Sequence, residues 1–240
     1  MRRLVLSVVL VHLLVLALGG PPAGAAEPAA GRTVLRPVQR GNDLALLLVS
    51  RSGTAIALDP FDLQAPLTAD LALFTHSVHA DRRTLPNVKA PLLLHRVESR
   101  TVGDVKVTGI GASHRGGAVD AAAPDHVIYR VEVDGFVVAL FGCLGQSSLT
   151  PEQLAALGPV DVAVITADNG GFERLQLVDG AFAMMQQLRP RIVVPRSHHA
   201  DDEEALPTLA KLGSLETRSE LVLRREELRD GATRVVSLVP

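Results

Sequence analysis

Apolar runs four to eight residues long alternate with polar turns along most of the chain, as is typical of a protein rich in β-strands. Two pairs of runs flank turn-forming residues. One turn is formed by residues 50–53, which contain Gly53, and the other by Asp134-Gly135, a dipeptide favoured in tight hairpins. Two β-hairpins are therefore predicted. Their runs cover residues 44–49 with 54–58, and residues 127–133 with 136–141.

Further apolar runs predict buried strands, and most of them lead into polar loops. These runs cover residues 71–74, 105–110, 160–165 and 192–194. Strands near Leu221 and Val235, turned by Asp230-Gly231, are predicted to close the chain.

Two stretches predict helices. Thr150 and Gln153 have the spacing of a capping box, Pro151 suits the first helical position, and Gly158-Pro159 predicts the end of that helix. Residues 176–188 carry apolar side chains at helical spacing. Strands come first and helices alternate with strands later, which predicts an α/β (α+β) fold of two mixed β-sheets with helices outside.

The first residues have the pattern of a secretory signal. Arg2 and Arg3 precede an apolar run at 4–18, and the small residues 23–25 form a cleavage pattern. We predict a signal peptide at residues 1–25 and export to the periplasm or the exterior. The alternative is an uncleaved anchor, for which the run is short, since a bilayer span needs about 20 residues.

Residues 26–32 are predicted to be a flexible lead, and residues 33–240 have the size of one domain.

The net charge is −2 at pH 7 and no basic run occurs, which argues against nucleic acid as a partner. After signal cleavage no segment is expected to span a membrane stably. The single cysteine, Cys143, has no partner for an internal disulfide.

Side chains that bind metals gather in the loops after the predicted strands. Imidazole, carboxylate and thiolate are the three ligand types that zinc accepts, so these loops predict a metal site at one rim of the sheets. A lone buried cysteine is also common as a small hydrophobic residue, so that alternative stays open. The loop residues are His76, His79, Asp81, His114, Cys143, His198 and His199.

These segments, in this order, resemble the metallo-β-lactamase superfamily. Asp59-Pro60 followed by Thr75-His76-Ser77-Val78-His79-Ala80-Asp81 is similar to its first signature, Thr-His-x-His-x-Asp-His. Later segments are similar to the remaining signatures, and they cover residues 109–114, 142–159 and 188–198. The resemblance is greatest to small bacterial metal-dependent hydrolases related to the ascorbate-phosphate lactonases. It implies a four-layer αββα sandwich.

Four positions depart from the family pattern. Val78 adds one residue between His76 and His79, and His198 follows Pro195 one residue later than usual, which leaves His199 as a rival ligand. Arg82 stands where the signature has histidine, and Cys143 stands where most members have a bridging aspartate. The cysteine-using zinc β-lactamases also have a cysteine at that position and a residue other than a ligand after the aspartate. The departures at Arg82 and Cys143 are therefore compatible with a metal site.

The resemblance implies a ligand set and a catalytic residue. One metal would be held by His76, His79 and His114, and a second by Asp81, Cys143 and His198. Asp81 would also orient the reacting water and take part in proton transfer. The implied cofactor is zinc, as one or two ions, with manganese or iron as alternatives. Alternate or supporting residues are His199, Arg82 and Asp168, the last of which fits a plain turn equally well.

The activity implied is hydrolysis of a small-molecule ester, lactone, amide or phosphoester by a metal-activated water. The alternative is a degenerate, non-catalytic member that binds a ligand or partner without metal, with Arg82 and Arg115 supplying positive charge. A thiol enzyme built on Cys143 is disfavoured because no second cysteine is present. His95 and His126 are predicted to be structural.

Overall fold

The computed structural model describes residues 31–39, 45–61, 63–76, 85–94, 96–120, 123–168, 178–197, 205–228 and 231–239. These residues form sixteen strands and three α-helices. In chain order they are β1 (Thr33–Pro37), β2 (Leu46–Val49), β3 (Ala55–Leu58), β4 (Leu67–Thr68), β5 (Leu71–Leu73), β6 (Val88–Lys89), β7 (Leu92–Leu94), β8 (Ser99–Val102), β9 (Val105–Ala112), β10 (His126–Val133), β11 (Phe136–Gly142), α1 (Pro151–Leu157), β12 (Val162–Asp168), α2 (Val178–Leu188), β13 (Ile192–Ser197), α3 (Ala205–Leu209), β14 (Gly213–Arg218), β15 (Leu221–Leu223) and β16 (Thr233–Leu238).

Two sheets pack face to face. One has six strands in the order β15-β1-β2-β3-β5-β7, and the other has eight in the order β14-β16-β13-β12-β11-β10-β9-β8. Both are mixed, since β3-β5-β7 and β11-β12-β13 pair parallel and the hairpins β2-β3 and β10-β11 pair antiparallel. The apolar core between the sheets includes the fully buried Tyr129. Burial raises the pKa of its phenol, which is therefore neutral.

Helices α1, α2 and α3 cover the outer face of the eight-stranded sheet. Ala181, Met184 and Met185 of α2 are buried at helical spacing against this sheet, as the sequence predicts. Among the described residues, the short ribbon β4-β6 and its loops pack on the outer face of the six-stranded sheet. The predicted class, two sheets with helices outside, is confirmed. No helix of the described segments has the length and hydropathy of a membrane span.

The capping box predicted for α1 is present. The Thr150 hydroxyl accepts from the Gln153 backbone N–H, the Gln153 side chain accepts from the Thr150 N–H, and Gly158 ends the helix with a φ of 56°. The predicted hairpins β2-β3 and β10-β11 are also confirmed.

The prediction for the last strands was wrong in one respect. β15 pairs with β1 in the six-stranded sheet, whereas β16 pairs with β13 and β14 in the other sheet, so the two are not joined as a hairpin. The apolar residues of both strands suit either sheet, because each sheet buries one face in the shared core.

Candidate metal centre

Two histidines meet at the rim where strands of both sheets end. His76 follows β5 of the six-stranded sheet, and His114 follows β9 of the eight-stranded sheet. Their rings are stacked, with centroids 3.9 Å apart and planes inclined by 21°. The backbone N–H of Val127 donates to the carbonyl of Thr75 at 2.9 Å, which joins the two sheets beside these rings. Both histidines are partly exposed, so solvent reaches them.

The hydrogen bonds of His114 fix its tautomer. Its Nδ1 lies 2.8 Å from the carbonyl oxygen of Cys143, and because a carbonyl only accepts, Nδ1 carries the proton. In the neutral ring Nε2 then has the lone pair. The backbone N–H of His114 donates to the Asp125 carboxylate at 2.8 Å, which fixes the loop as well as the ring.

This arrangement suits a metal ligand. Histidines that bind metals usually donate their other ring N–H to a carbonyl or carboxylate, which orients the ring and leaves one nitrogen for the metal. His114 meets that requirement through Cys143, and the ring of His76 stacks on the ring of His114. The donor chemistry of the two residues therefore fits zinc or a similar divalent metal.

A buried carboxylate beneath the histidines ties three strand ends together. Asp59 follows β3, and its carboxylate accepts from the backbone N–H and the hydroxyl of Thr75, at 2.7 Å and 2.6 Å. Arg196 of β13 donates to the same carboxylate at 3.2 Å. Asp59 itself has a φ of 40°, an uncommon left-handed conformation, and the following Pro60 disfavours the right-handed alternative. The network fixes the residue before His76.

Two glycines allow the Cys143 loop to approach these groups. A Cβ on Gly142 would overlap the Thr75 hydroxyl, and Gly142 also has a φ of 55°. A Cβ on Gly145 would overlap the carbonyl of His114. Cys143 between them is buried, and its carbonyl orients His114. Its role as a thiolate ligand stays a prediction.

Two buried glutamines brace the same loop. The amides of Gln146 and Gln153 donate to each other at 3.1 Å and 3.0 Å, forming a reciprocal pair. Gln146 also accepts from the backbone N–H of Ser113, and Gln153 donates to the carbonyl of Gly111. The cap of α1 is thereby connected to the residue preceding His114. Sequence reasoning assigned Gln153 to the helix cap and did not anticipate this second role.

A third histidine, His126, lies close to His76 and His114. Its ring centroid lies 6.2 Å from that of His76 and 6.1 Å from that of His114, and it is buried. Its Nε2 donates to the carbonyl of Phe141 at 2.7 Å. The signal that could have placed it here is the pairing of the first residue of β10 with the last of β9, since His126 lies opposite Ala112.

The remaining predicted site residues fall in two groups. Asp168 is the last residue of β12 and pairs with Ser197 at the same rim. The others lie outside the described residues: His79, Asp81, Arg82, His198 and His199, together with the inserted Val78. Within the described part of the chain, no group of three or more His, Cys, Asp or Glu side chains is arranged to hold a metal. The full ligand set stays a prediction.

Two mixed sheets packed face to face, with helices outside the eight-stranded sheet and histidines at the strand ends, match the metallo-β-lactamase fold. The chain matches the family described as the β-lactamase superfamily domain over residues 43–197, more than half of its length, and it belongs to that family. A comparison with curated proteins gave no match.

Several solved structures share the fold. A protein from Thermotoga maritima, assigned to the zinc-dependent hydrolases of the metallo-β-lactamase superfamily, is 20% identical with a TM-score of 0.65, covering 86% of this chain and 100% of its own. One from Parabacteroides distasonis, assigned to the metal-dependent hydrolases, is 17% identical with a TM-score of 0.55, over 81% and 88%. The diiron β-hydroxylase CmlA from Streptomyces venezuelae is 14% identical with a TM-score of 0.53, over 82% and 55%.

Proposed function

We propose that this protein is an exported metal-dependent hydrolase with its metal at the rim where His76 and His114 meet. The observation that carries the proposal is the contact of these two rings at 3.9 Å, with the His114 Nε2 lone pair left for a metal by the bond from Nδ1 to Cys143. Metal-dependent hydrolases among the proteins of similar fold support the same activity. Zinc is proposed because it accepts imidazole, carboxylate and thiolate together.

The proposed division of labour follows the resemblance to the family. His76 and His114 hold the metal together with the ligands proposed at His79, Asp81, Cys143 and His198. When bound, the metal lowers the pKa of a water molecule to about 7 and polarises the oxygen of the scissile group. Asp81 would orient that water and take part in proton transfer, as a carboxylate placed beside it can do. The substrate is a small ester, lactone, amide or phosphoester.

The rigid support under the histidines favours catalysis over loose ligand binding. A catalytic site requires ligands held in fixed positions, and Thr75, which precedes His76, is fixed by the two hydrogen bonds that it donates to the buried Asp59 carboxylate. Likewise the His114 backbone is fixed by Asp125 and its ring by Cys143.

Metal analysis of the double variant His76→Ala/His114→Ala tests the proposal. The purified wild-type protein is expected to contain zinc, and the double variant to contain none, by elemental analysis. His126→Gln is the matched control, because the glutamine amide can keep the bond to Phe141, and it should retain metal. If the alanine variant fails to fold, His76→Gln/His114→Gln gives the same comparison. Full metal content in the double variants would contradict the site, and a metal-free wild type would favour the non-catalytic alternative.

Export is tested separately. The signal pattern of residues 1–25 supports cleavage before Ala26. Terminal sequencing of the mature protein should begin at Ala26, in material recovered outside the cytoplasm. An intact Met1 terminus in the membrane fraction would overturn this part of the proposal.

A further inference from the structure

Four arginines surround a small concavity at the opposite end of the sheets. The cavity has a volume of about 190 Å³, and its lining includes Arg32, Arg51, Arg224, Arg225 and one acidic residue, Glu226. All four arginines are exposed. The whole chain carries a net charge of −2, so this concentration of positive charge is local.

The concavity is assembled from three parts of the chain that the fold holds together. Arg32 precedes β1 and Arg224 follows β15, and these strands pair with Thr33 opposite Leu223. The β2–β3 turn contributes Arg51. Because β15, β1 and β2 are neighbouring strands of one sheet, their adjacent ends bring Arg224, Arg32 and Arg51 to the same concavity.

A single carboxylate fixes two of these parts. Asp134, in the β10–β11 turn, accepts from the hydroxyl of Thr33 at 2.6 Å and from the backbone N–H of Arg51 at 2.8 Å. Asp134 has a φ of 50°, so the turn is tight and presents its carboxylate to both neighbours. The backbones that carry Arg32 and Arg51 are thereby held beside each other.

The side chains are also oriented by contacts outside the concavity. The guanidinium of Arg225 lies over the ring of Phe136, 4.8 Å from its centroid, and 3.6 Å from the carboxylate of Asp161. Arg32 lies 3.8 Å from Glu220. Arg32 and Arg225 remain 51% exposed, so solvent still reaches both guanidinium-bearing side chains.

We propose that this concavity binds a tetrahedral oxyanion, phosphate or sulfate, either free or as the end group of a larger molecule. Guanidinium groups match the oxygens of such anions in pairs, and several converging arginines match a charge greater than that of one carboxylate. The cavity accommodates one such group. The site is separate from the metal centre, because His126 and Asp134 lie at opposite ends of β10, about 26 Å apart at the rise of an extended strand.

Calorimetric titration of the full chain with sodium phosphate at low ionic strength tests the site. We expect saturable binding, at least tenfold weaker in Arg51→Gln/Arg225→Gln and unchanged in Arg100→Gln. Arg100 is a matched control, since it is also 51% exposed and paired with a carboxylate, that of Glu98. Sulfate is expected to compete, and acetate at the same ionic strength is not.

Further titrations distinguish a free anion from an esterified one, and binding at the arginines from binding at the proposed metal centre. Tighter binding of methyl phosphate than of inorganic phosphate supports an esterified group, and the reverse order supports the free ion. Phosphate binding that is lost in His76→Ala/His114→Ala and kept in the arginine variant would place the anion at the metal centre and overturn the proposal. Absence of saturable binding, or equal loss in Arg100→Gln, would also overturn it.

Discussion

Arg196 donates a hydrogen bond of 3.2 Å to the carboxylate of Asp59, and the two side chains are 4% and 0% exposed. The residues are 137 positions apart in the chain and belong to different sheets. A second Arg196 nitrogen lies 3.4 Å from the Asp59 carbonyl. The pair therefore links β13, which precedes the predicted ligand His198, to the strand end that supports His76.

Arg196→Met should destabilise the protein strongly. Methionine leaves the Asp59 carboxylate buried with its charge uncompensated, and breaking a buried pair in this way costs about 3–5 kcal/mol. The free energy of unfolding in urea measures the effect. Arg218→Met is the control, because Arg218 pairs with Glu216 near the surface, where such pairs contribute about 0–1 kcal/mol. Equal losses in the two variants would show that Asp59 is not a charged partner of Arg196.

Gly145→Ala should disrupt the Cys143 loop. The added methyl group would overlap the carbonyl of His114, which is backbone and cannot rotate away. We expect a loss of about 3 kcal/mol in the free energy of unfolding, the upper end of the range for overpacking, and weaker metal binding. In Gly111→Ala the nearest atoms to the new methyl group are 3.4 Å away, an ordinary contact, so this control should be nearly neutral. A stable, fully metallated Gly145→Ala would contradict the close approach.

Gln153→Ala should lower the stability of the protein by more than the loss of a helix cap alone would. The substitution removes the capping box and leaves the buried Gln146 amide and the Gly111 carbonyl without their donors or acceptors. Each buried group left unsatisfied costs about 1–3 kcal/mol. Gln186→Ala, at an exposed position of α2, is the control and should change the melting temperature little. A small effect at both positions would mean that water replaces the amide pair.

Chelation should expose the thiol of Cys143 if it is a metal ligand, as proposed. A metal-bound thiolate is deprotonated and shielded by the cation, so alkylation should be slow with metal present and faster after chelation. Thiol labelling followed by mass measurement gives both rates. Cys143 is 3% exposed, so a cysteine that only packs in the core would react slowly under both conditions.

The variant Cys143→Asp completes that comparison. It introduces the residue usual in the family, so zinc should raise its melting temperature. Labelling that is indifferent to chelator, together with a Cys143→Asp protein that zinc does not stabilise, would assign Cys143 to packing. In that case a buried aspartate without a cation would destabilise the fold.

Local chemistry is what made much of the fold predictable. The Thr150 capping box and the Asp134-Gly135 turn are specified by neighbouring residues, and both appear where predicted. Apolar runs also located most of the central strands. β14 was missed because it is an edge strand with a largely polar sequence and no buried residue, so no apolar run distinguishes it.

The candidate site was only partly accessible from sequence for a different reason. Histidines after strands could be recognised by residue type, and the structure brings His76 and His114 together. The residues that support these histidines could not be recognised in the same way. Asp59, Arg196 and Gln146 act through contacts between distant segments of the chain. His126 was assigned a structural role, and nothing in its local sequence places it 6.2 Å from His76.

His76 and His114 come from different sheets, which meet beside them at the Thr75–Val127 hydrogen bond. An unfolded or half-folded chain therefore has no preformed pair of imidazoles, and the pair arises only when the sheets dock. At the proposed site, metal binding is therefore expected to follow sheet docking, and its rate would report on docking and not on the formation of either sheet. The compartment in which folding finishes would then determine which metal ions can reach the proposed site.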